Sequence, residues 1–147
     1  MIYTKLTKKA IRIAYEAHMG QEDKCGLPYI FHPYHLAEQM ETEETAAAAL
    51  LHDVMEDTSV TFEDLKAEGI PDSVLEALKM LTHDPKVPYL EYVAALKGNP
   101  VARAVKLADL AHNSDLTRID EVTEKDIERV EKYKKAREIL LKEDADA

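Results

Sequence analysis

Apolar positions recur every three or four residues along most of this chain, and runs of alternating β-branched residues are scarce. That periodicity predicts an all-α fold. Leu6, Ala10, Ile13, Ala14 and Ala17 place a first amphipathic helix over Lys5 to His18, with Gly20 as its stop. Between Gln21 and Pro33, Gly26, Pro28 and Pro33 disfavour a continuous helix and predict a structured loop. Pro33 suits the first turn of a second helix reaching Met40, which leaves His32 just before it. A third helix is predicted over Glu44 to Met55. Thr61 with Asp64 suggests the cap of a short helix that Gly69 ends, and Pro71 opens another through Leu81. Pro88 and Asn99-Pro100 mark two further starts, the second introducing Val101 to Leu116. Thr123 with Asp126 opens a last helix in which Ile127, Val130, Tyr133, Ala136 and Leu140 keep helical spacing. It reads as a cover with a solvated charged face, followed by a frayed tail over residues 142–147.

The third helix departs from the amphipathic rule. Ala46 to Leu51 is apolar on every side, which belongs in a core, yet the next six residues carry His52, Asp53, Glu56 and Asp57. Ionisable groups at a buried helix end must be paired, hydrogen-bonded or coordinated to a metal. If the helix persists through Asp57, His52 and Glu56 share one face, with Asp53 and Asp57 beside them. Such an end supplies metal ligands and, a turn later, carboxylates for handling water. The alternative is a polar helix terminus with solvated carboxylates and a packed His52.

With 147 residues, one compact helical domain over 1–147 is expected. The single Cys25 excludes an internal disulfide framework and fits a reducing compartment. A formal charge of -10 opposes binding to nucleic acid or an anionic membrane. The sequence shows neither a membrane span nor a signal peptide, so a cytoplasmic protein is expected, as a monomer or homodimer. An anionic small molecule would need a local cation.

His32 at a helix entrance, His52-Asp53, and Asp109 inside the predicted helix from Val101 make a candidate ligand set of two imidazoles and two carboxylates, between helices. Mixed nitrogen and oxygen donors suit manganese or another divalent transition metal better than a thiolate site would. The order His, His-Asp, distant Asp resembles the HD-domain phosphohydrolases. More closely, Ala17-His-Met-Gly-Gln21, Gly26-Leu-Pro-Tyr-Ile-Phe-His-Pro33, Ala48-Ala-Leu-Leu-His-Asp-Val-Met-Glu-Asp-Thr58 and Val105-Lys-Leu-Ala-Asp-Leu-Ala-His-Asn113 resemble the hydrolase domain of the RelA/SpoT homologues and the small stand-alone alarmone hydrolases. The resemblance implies a helical, Mn2+-dependent enzyme of the stringent response that removes the 3′-pyrophosphate from guanosine tetra- or pentaphosphate (ppGpp, pppGpp). It implies His32, His52, Asp53 and Asp109 as metal ligands, Glu56 and Asp57 as the catalytic pair that orients and activates water, and Lys24 and Asn113 beside the nucleotide.

Two positions depart from the long family members: Leu110 stands where they carry an arginine, and Lys24 where they usually carry another. Lysine cannot reproduce the planar, stacking contact of a guanidinium. The synthetase and regulatory domains of the long enzymes are not expected in this chain. Two other readings remain open: hydrolysis of another phosphorylated nucleotide, such as NADPH, and a noncatalytic regulatory module with a metal-stabilised core. Arg103, Lys106 and Arg118 are expected at the surface, His35 and His83 exposed, and His18 bracing the first loop. Tyr29 and Tyr34 are expected in the core or pocket wall, and His112 is either packed and hydrogen-bonded or lines the pocket.

Overall fold

Threonine starts four of the helices. Thr4, Thr42, Thr61 and Thr123 each stand in extended backbone and accept a hydrogen bond from the amide three residues on, whose own side chain bonds back to the threonine amide. Each box satisfies amides that a helix N-terminus leaves without partners. Elsewhere Asn99 accepts from the amides of Val101 and Ala102 ahead of Pro100. The computed structural model describes residues 1–142. Among them run α1 (Lys5–Ala17), α2 (Phe31–Glu38), α3 (Glu43–Leu51), α4 (Val54–Asp57), α5 (Phe62–Ala67), α6 (Asp72–Leu81), α7 (Tyr89–Ala95), α8 (Pro100–Asn113) and α9 (Glu124–Leu141), with 3-10 turns at Leu96–Gly98 and Leu116–Arg118.

The expected all-α bundle is borne out, and α3 is its axis. Ala46 through Leu51 are all fully buried, and α3 packs on α1, α2, α6 and α8. Four successive alanines keep that rod thin, so neighbouring helices approach its backbone and bury Ala10, Ala14, Leu36, Ala37, Ala77, Leu78, Ala102 and Val105 around it. Helix α9 covers α7 and α8, burying Ala136 and Leu140 while most of its charges stay in solvent. Among the described residues no helix is long and apolar enough to cross a membrane.

Three expectations need correction. The third helix does not run on to Met55: it ends at Leu51, and α4 restarts at Val54. The carbonyl of Ala49, which a continuing helix would give to the amide of Asp53, is taken by the ring Nδ1 of His52 at 2.6 Å. Asp53 then lies at φ -105°, ψ 2°, outside the helical well. Second, α2 begins at Phe31, which puts His32 inside its first turn, where the missing amide of Pro33 is still harmless. Third, α8 ends at Asn113, and Leu116 belongs to the following 3-10 turn. Of the expected tail, residues 143–147 lie outside those described.

Filling the space beside the α3 backbone should be costly. Ala48→Leu is expected to lose about 1–3 kcal/mol, the usual penalty for overpacking a tight core, read as a lowered urea midpoint at unchanged slope.

Candidate metal centre and its flanking recesses

The break after α3 decides where the chemistry sits. It leaves His52 at the end of the buried rod, 4 % exposed, with Nδ1–H spent on Ala49 and Nε2 turned inward. That Nε2 has no hydrogen-bond partner among the described residues, yet it stands 2.9 Å from Oδ2 of Asp53 and 3.5 Å from Oδ1 of Asp109. From α2, His32 presents Nε2 to the same Oδ1 at 2.9 Å. The ligand atoms of His32, His52 and Asp109 all lie within 4.8 Å of one another, and all three residues are buried. Asp53 joins through His52 and receives the hydroxyl of Tyr29.

A bare imidazole nitrogen facing two carboxylates needs positive charge between them. Burial disfavours a charged His52, but Asp53 and Asp109 outweigh it and push its pKa well above the ordinary histidine value. Asp109 is likewise held well below the usual carboxylate range: burial opposes this, and Lys106, His32 and His52 prevail. A second proton on His52 or a divalent cation would satisfy the same atoms. Two imidazoles and two carboxylates fit the cation, and His52 Nδ1–H donating to a backbone carbonyl is the arrangement that presents Nε2 as a ligand.

The surroundings steady this centre. Asn113 Nδ2 donates to Oδ1 of Asp109 at 2.9 Å, and Lys106 Nζ meets Oδ2 at 3.1 Å. The ring Nδ1 atoms of His32 and His112 are 2.7 Å apart. On one side a recess of about 260 Å³ takes in Lys24, Tyr29, Asp53, Asp109, Asn113, Arg118 and Tyr133. On the other, a recess of about 130 Å³ takes in Asp53, Asp109, Glu56, His83 and Lys106. The two meet at the metal-type carboxylates.

No family model matches the chain. It is 34 % identical over 146 residues to a GTP pyrophosphokinase of Streptomyces coelicolor, covering 90 % of this chain and 16 % of that protein. It is 36 % identical over 127 residues to the bifunctional (p)ppGpp synthase/hydrolase SpoT of Escherichia coli, covering 74 % and 18 %, and 34 % identical over 118 residues to a guanosine-3′,5′-bis(diphosphate) 3′-pyrophosphohydrolase of Aquifex aeolicus, covering 72 % and 17 %. The chain therefore spans less than a fifth of the length of these curated relatives. Among solved structures, a metazoan orthologue of SpoT, described as hydrolysing ppGpp and playing a role in starvation responses, superposes with a TM-score of 0.75 at 25 % identity, over 99 % of this chain and 90 % of that one. This is an HD-domain protein of the RelA/SpoT hydrolase type.

Of the eight residues singled out from sequence, seven line the cluster or its two recesses, and Asp57 lines neither. His32, His52 and Asp109 cluster, with Asp53 attached through His52; Lys24 and Asn113 line the larger recess. Glu56 lines the smaller, its Oε1 held by the backbone N–H of His83 at 2.5 Å. Asp57 ends α4, and its carbonyl accepts from Nε2 of Gln21 at 2.8 Å. Burial, with Asp53 adding, raises both the Glu56 and Asp57 carboxyls. His18, expected to brace the loop, does so through Gln21 Oε1 at 2.8 Å from its Nδ1. His112 is hydrogen-bonded, one of the two roles left open for it.

Four residues were placed wrongly from sequence. Lys106 is not a surface residue: its ammonium lies over the rings of Tyr89 and Tyr92, at 5.6 and 5.4 Å, and pairs with Asp109. Arg118 reaches Asp23 at 3.1 Å and the carbonyl of His112 at 2.8 Å. Arg103 donates to the carbonyl of Leu140 and so fastens the end of α9. His83 is half-buried and stacks on Tyr92 at 4.5 Å. Tyr133, in the larger recess, was read only as a core position of the covering helix. Its place one turn from Arg129 on α9 was the available signal.

Asp23 ties the Lys24 loop to the centre, accepting from the amides of Cys25 and Leu27 and from Arg118. Burial works against its charge, but these donors hold its pKa below the usual carboxylate value. With the folded pKa depressed, the contribution is fully present above the unfolded value of about 4 and disappears as pH falls through the lower folded one. Asp23→Asn is expected to cost about 1–3 kcal/mol near neutrality, with the gap to wild type closing as pH falls below about 4 in denaturation curves.

Proposed function

We propose that this chain is a metal-dependent pyrophosphohydrolase that removes the 3′-pyrophosphate from guanosine tetra- or pentaphosphate. The reading places it in the cytoplasm, with a small nucleotide as its partner and Mn2+ as its ion. The observation that carries it is the buried Nε2 of His52, left without a hydrogen bond between two carboxylates that line both recesses. The names of the aligned relatives and of the superposed metazoan protein point to the same chemistry.

His32, His52, Asp53 and Asp109 would hold the ion. When bound, it polarises a phosphoryl oxygen and lowers the pKa of water toward neutrality. The chain's own residues then divide the remaining work. Lys24, in an otherwise acidic protein, attracts the polyphosphate into the larger recess, and Asn113 spends one amide proton on Asp109 while keeping its other donor and its carbonyl for the nucleotide. Glu56, aimed by the His83 amide and made more basic by burial, accepts a proton from the attacking water; Asp57 holds that water in line. As the water oxygen bonds to the 3′-linked phosphorus, the P–O bond to the ribose 3′ oxygen breaks and the 3′ oxygen takes up a proton, giving pyrophosphate and GDP from the tetraphosphate or GTP from the pentaphosphate. Tyr29 fixes one oxygen of Asp53, and Lys106 keeps Asp109 ionised.

Incubation of ppGpp with the protein and Mn2+, with products resolved by ion-exchange chromatography, should yield GDP and pyrophosphate. Asp53→Ala or Asp109→Ala should abolish turnover, and wild-type rates in either would refute the ligand assignment. Glu56→Gln should cut kcat about 10²–10⁴-fold, the usual span for a general base, with Mn2+ affinity nearly unchanged. Release of inorganic phosphate from NADPH, with ppGpp left intact, would instead reassign the substrate.

A further inference from the structure

Two hydrogen bonds compete for the single ring proton of a neutral His32. Its Nε2 faces Oδ1 of Asp109 at 2.9 Å and its Nδ1 faces Nδ1 of His112 at 2.7 Å. A carboxylate acceptor draws the proton to Nε2, because hydrogen bonds to an ionised partner are the stronger ones. A proton there blocks the nitrogen that points at the candidate metal site. A proton on Nδ1 frees it, and that requires an acceptor on the far side. His112 is placed to be that acceptor. Its ring lies nearly parallel to that of His32, 8° apart with centroids at 5.0 Å. Its backbone carbonyl is held by Arg118, and His35 packs on its ring at 4.3 Å. His52 meets the same requirement differently, giving its Nδ1 proton to the Ala49 carbonyl. A carbonyl oxygen can only accept, so the tautomer of His52 is fixed by the backbone. That of His32 is fixed only if the nitrogen opposite is bare.

We infer that His112 is a positioning residue: its unprotonated Nδ1 accepts a hydrogen bond from the Nδ1–H of His32 and so holds His32 Nε2 as a metal donor. The inference rests on the metal part of the reading above and not on the identity of the substrate. It also gives the two imidazoles different supports, a rigid one for His52 and a side chain for His32. Asparagine at 112 places an amide oxygen near the position of Nδ1, whereas glutamine places its amide nearer that of Nε2, and phenylalanine keeps the stacking surface with no acceptor. The three replacements therefore separate hydrogen bonding from packing.

Mn2+ affinity by isothermal titration calorimetry is the test, with melting in EDTA as the check on folding. His112→Phe and His112→Gln are expected to raise the Kd about 10–100-fold, as loss of a partner behind a ligating histidine generally does, while His112→Asn stays within about threefold of wild type. Equal Kd values in wild type and His112→Phe, or an Asn variant as weak as the Phe variant, would overturn the inference. So would wild-type protein that binds no Mn2+, which would remove the metal reading with it. Wild-type protein that binds Mn2+ but leaves ppGpp intact would defeat the substrate reading alone. Should a variant not fold, 15N-edited imidazole spectra of Zn2+-loaded wild type give the same answer: a bare Nδ1 on His112 supports the role, and a protonated one refutes it.

Discussion

An imidazole nitrogen pressed against two carboxylates, with no proton donor in reach, is the constraint from which this structure is organised. Burying charge without compensation costs several kcal/mol per ion, and both carboxylates around His52 carry partners. Asp109 takes His32 and Asn113 on one oxygen and Lys106 on the other; Asp53 takes the Tyr29 hydroxyl. These partners arrive from α2, α8 and the loop before α2. The nitrogen itself is delivered by α3, the most buried helix. The bundle's axis and its reactive centre are thus one element, and the helix stops where the chemistry starts because the His52 ring intercepts a backbone carbonyl.

Charge is distributed to match. The chain carries a formal -10, which repels polyanions at long range, but Lys24, Lys106 and Arg118 all face the two recesses. Lys106 is the extreme case, an ammonium buried against two tyrosine rings and stabilised in its charged form by Asp109 despite desolvation. An anionic ligand entering either recess thus meets positive charge beside the carboxylate cluster.

Most of the helices were legible from apolar period and punctuation: Gly69 and Gly20 at stops, Pro71, Pro88 and Pro100 at starts, Thr61 and Thr123 with their aspartates at caps. The boxes at Thr4 and Thr42 were missed because threonine, not an acid, returns the bond. The buried cluster of His32, His52 and Asp109, with Asp53 beside it, was legible because two imidazoles and two aspartates at apolar positions have few structural uses. The break at His52 was not, since it depends on a side chain outcompeting a backbone amide for one carbonyl, which helical periodicity does not encode. Lys106 and Arg118 were misplaced for a related reason. A lysine three residues before an aspartate looks like an ordinary surface pair, and only the packing of α7 and its tyrosines over it removes it from water.

The hairpin-like loop between α1 and α2 has a consequence for how this domain can change over evolutionary time. Gln21 grips the carbonyl of Asp57, Tyr29 grips Asp53, and Lys24, which lines the larger recess, lies between them on the same short segment. The shape of the recess and the support of the centre are therefore inherited together: exchanging this loop for another also resets the hold on Asp53 and on the end of α4. Tyr133, on the α9 wall of the recess, stands outside that clamp, so a substitution there reshapes the recess without loosening the carboxylates.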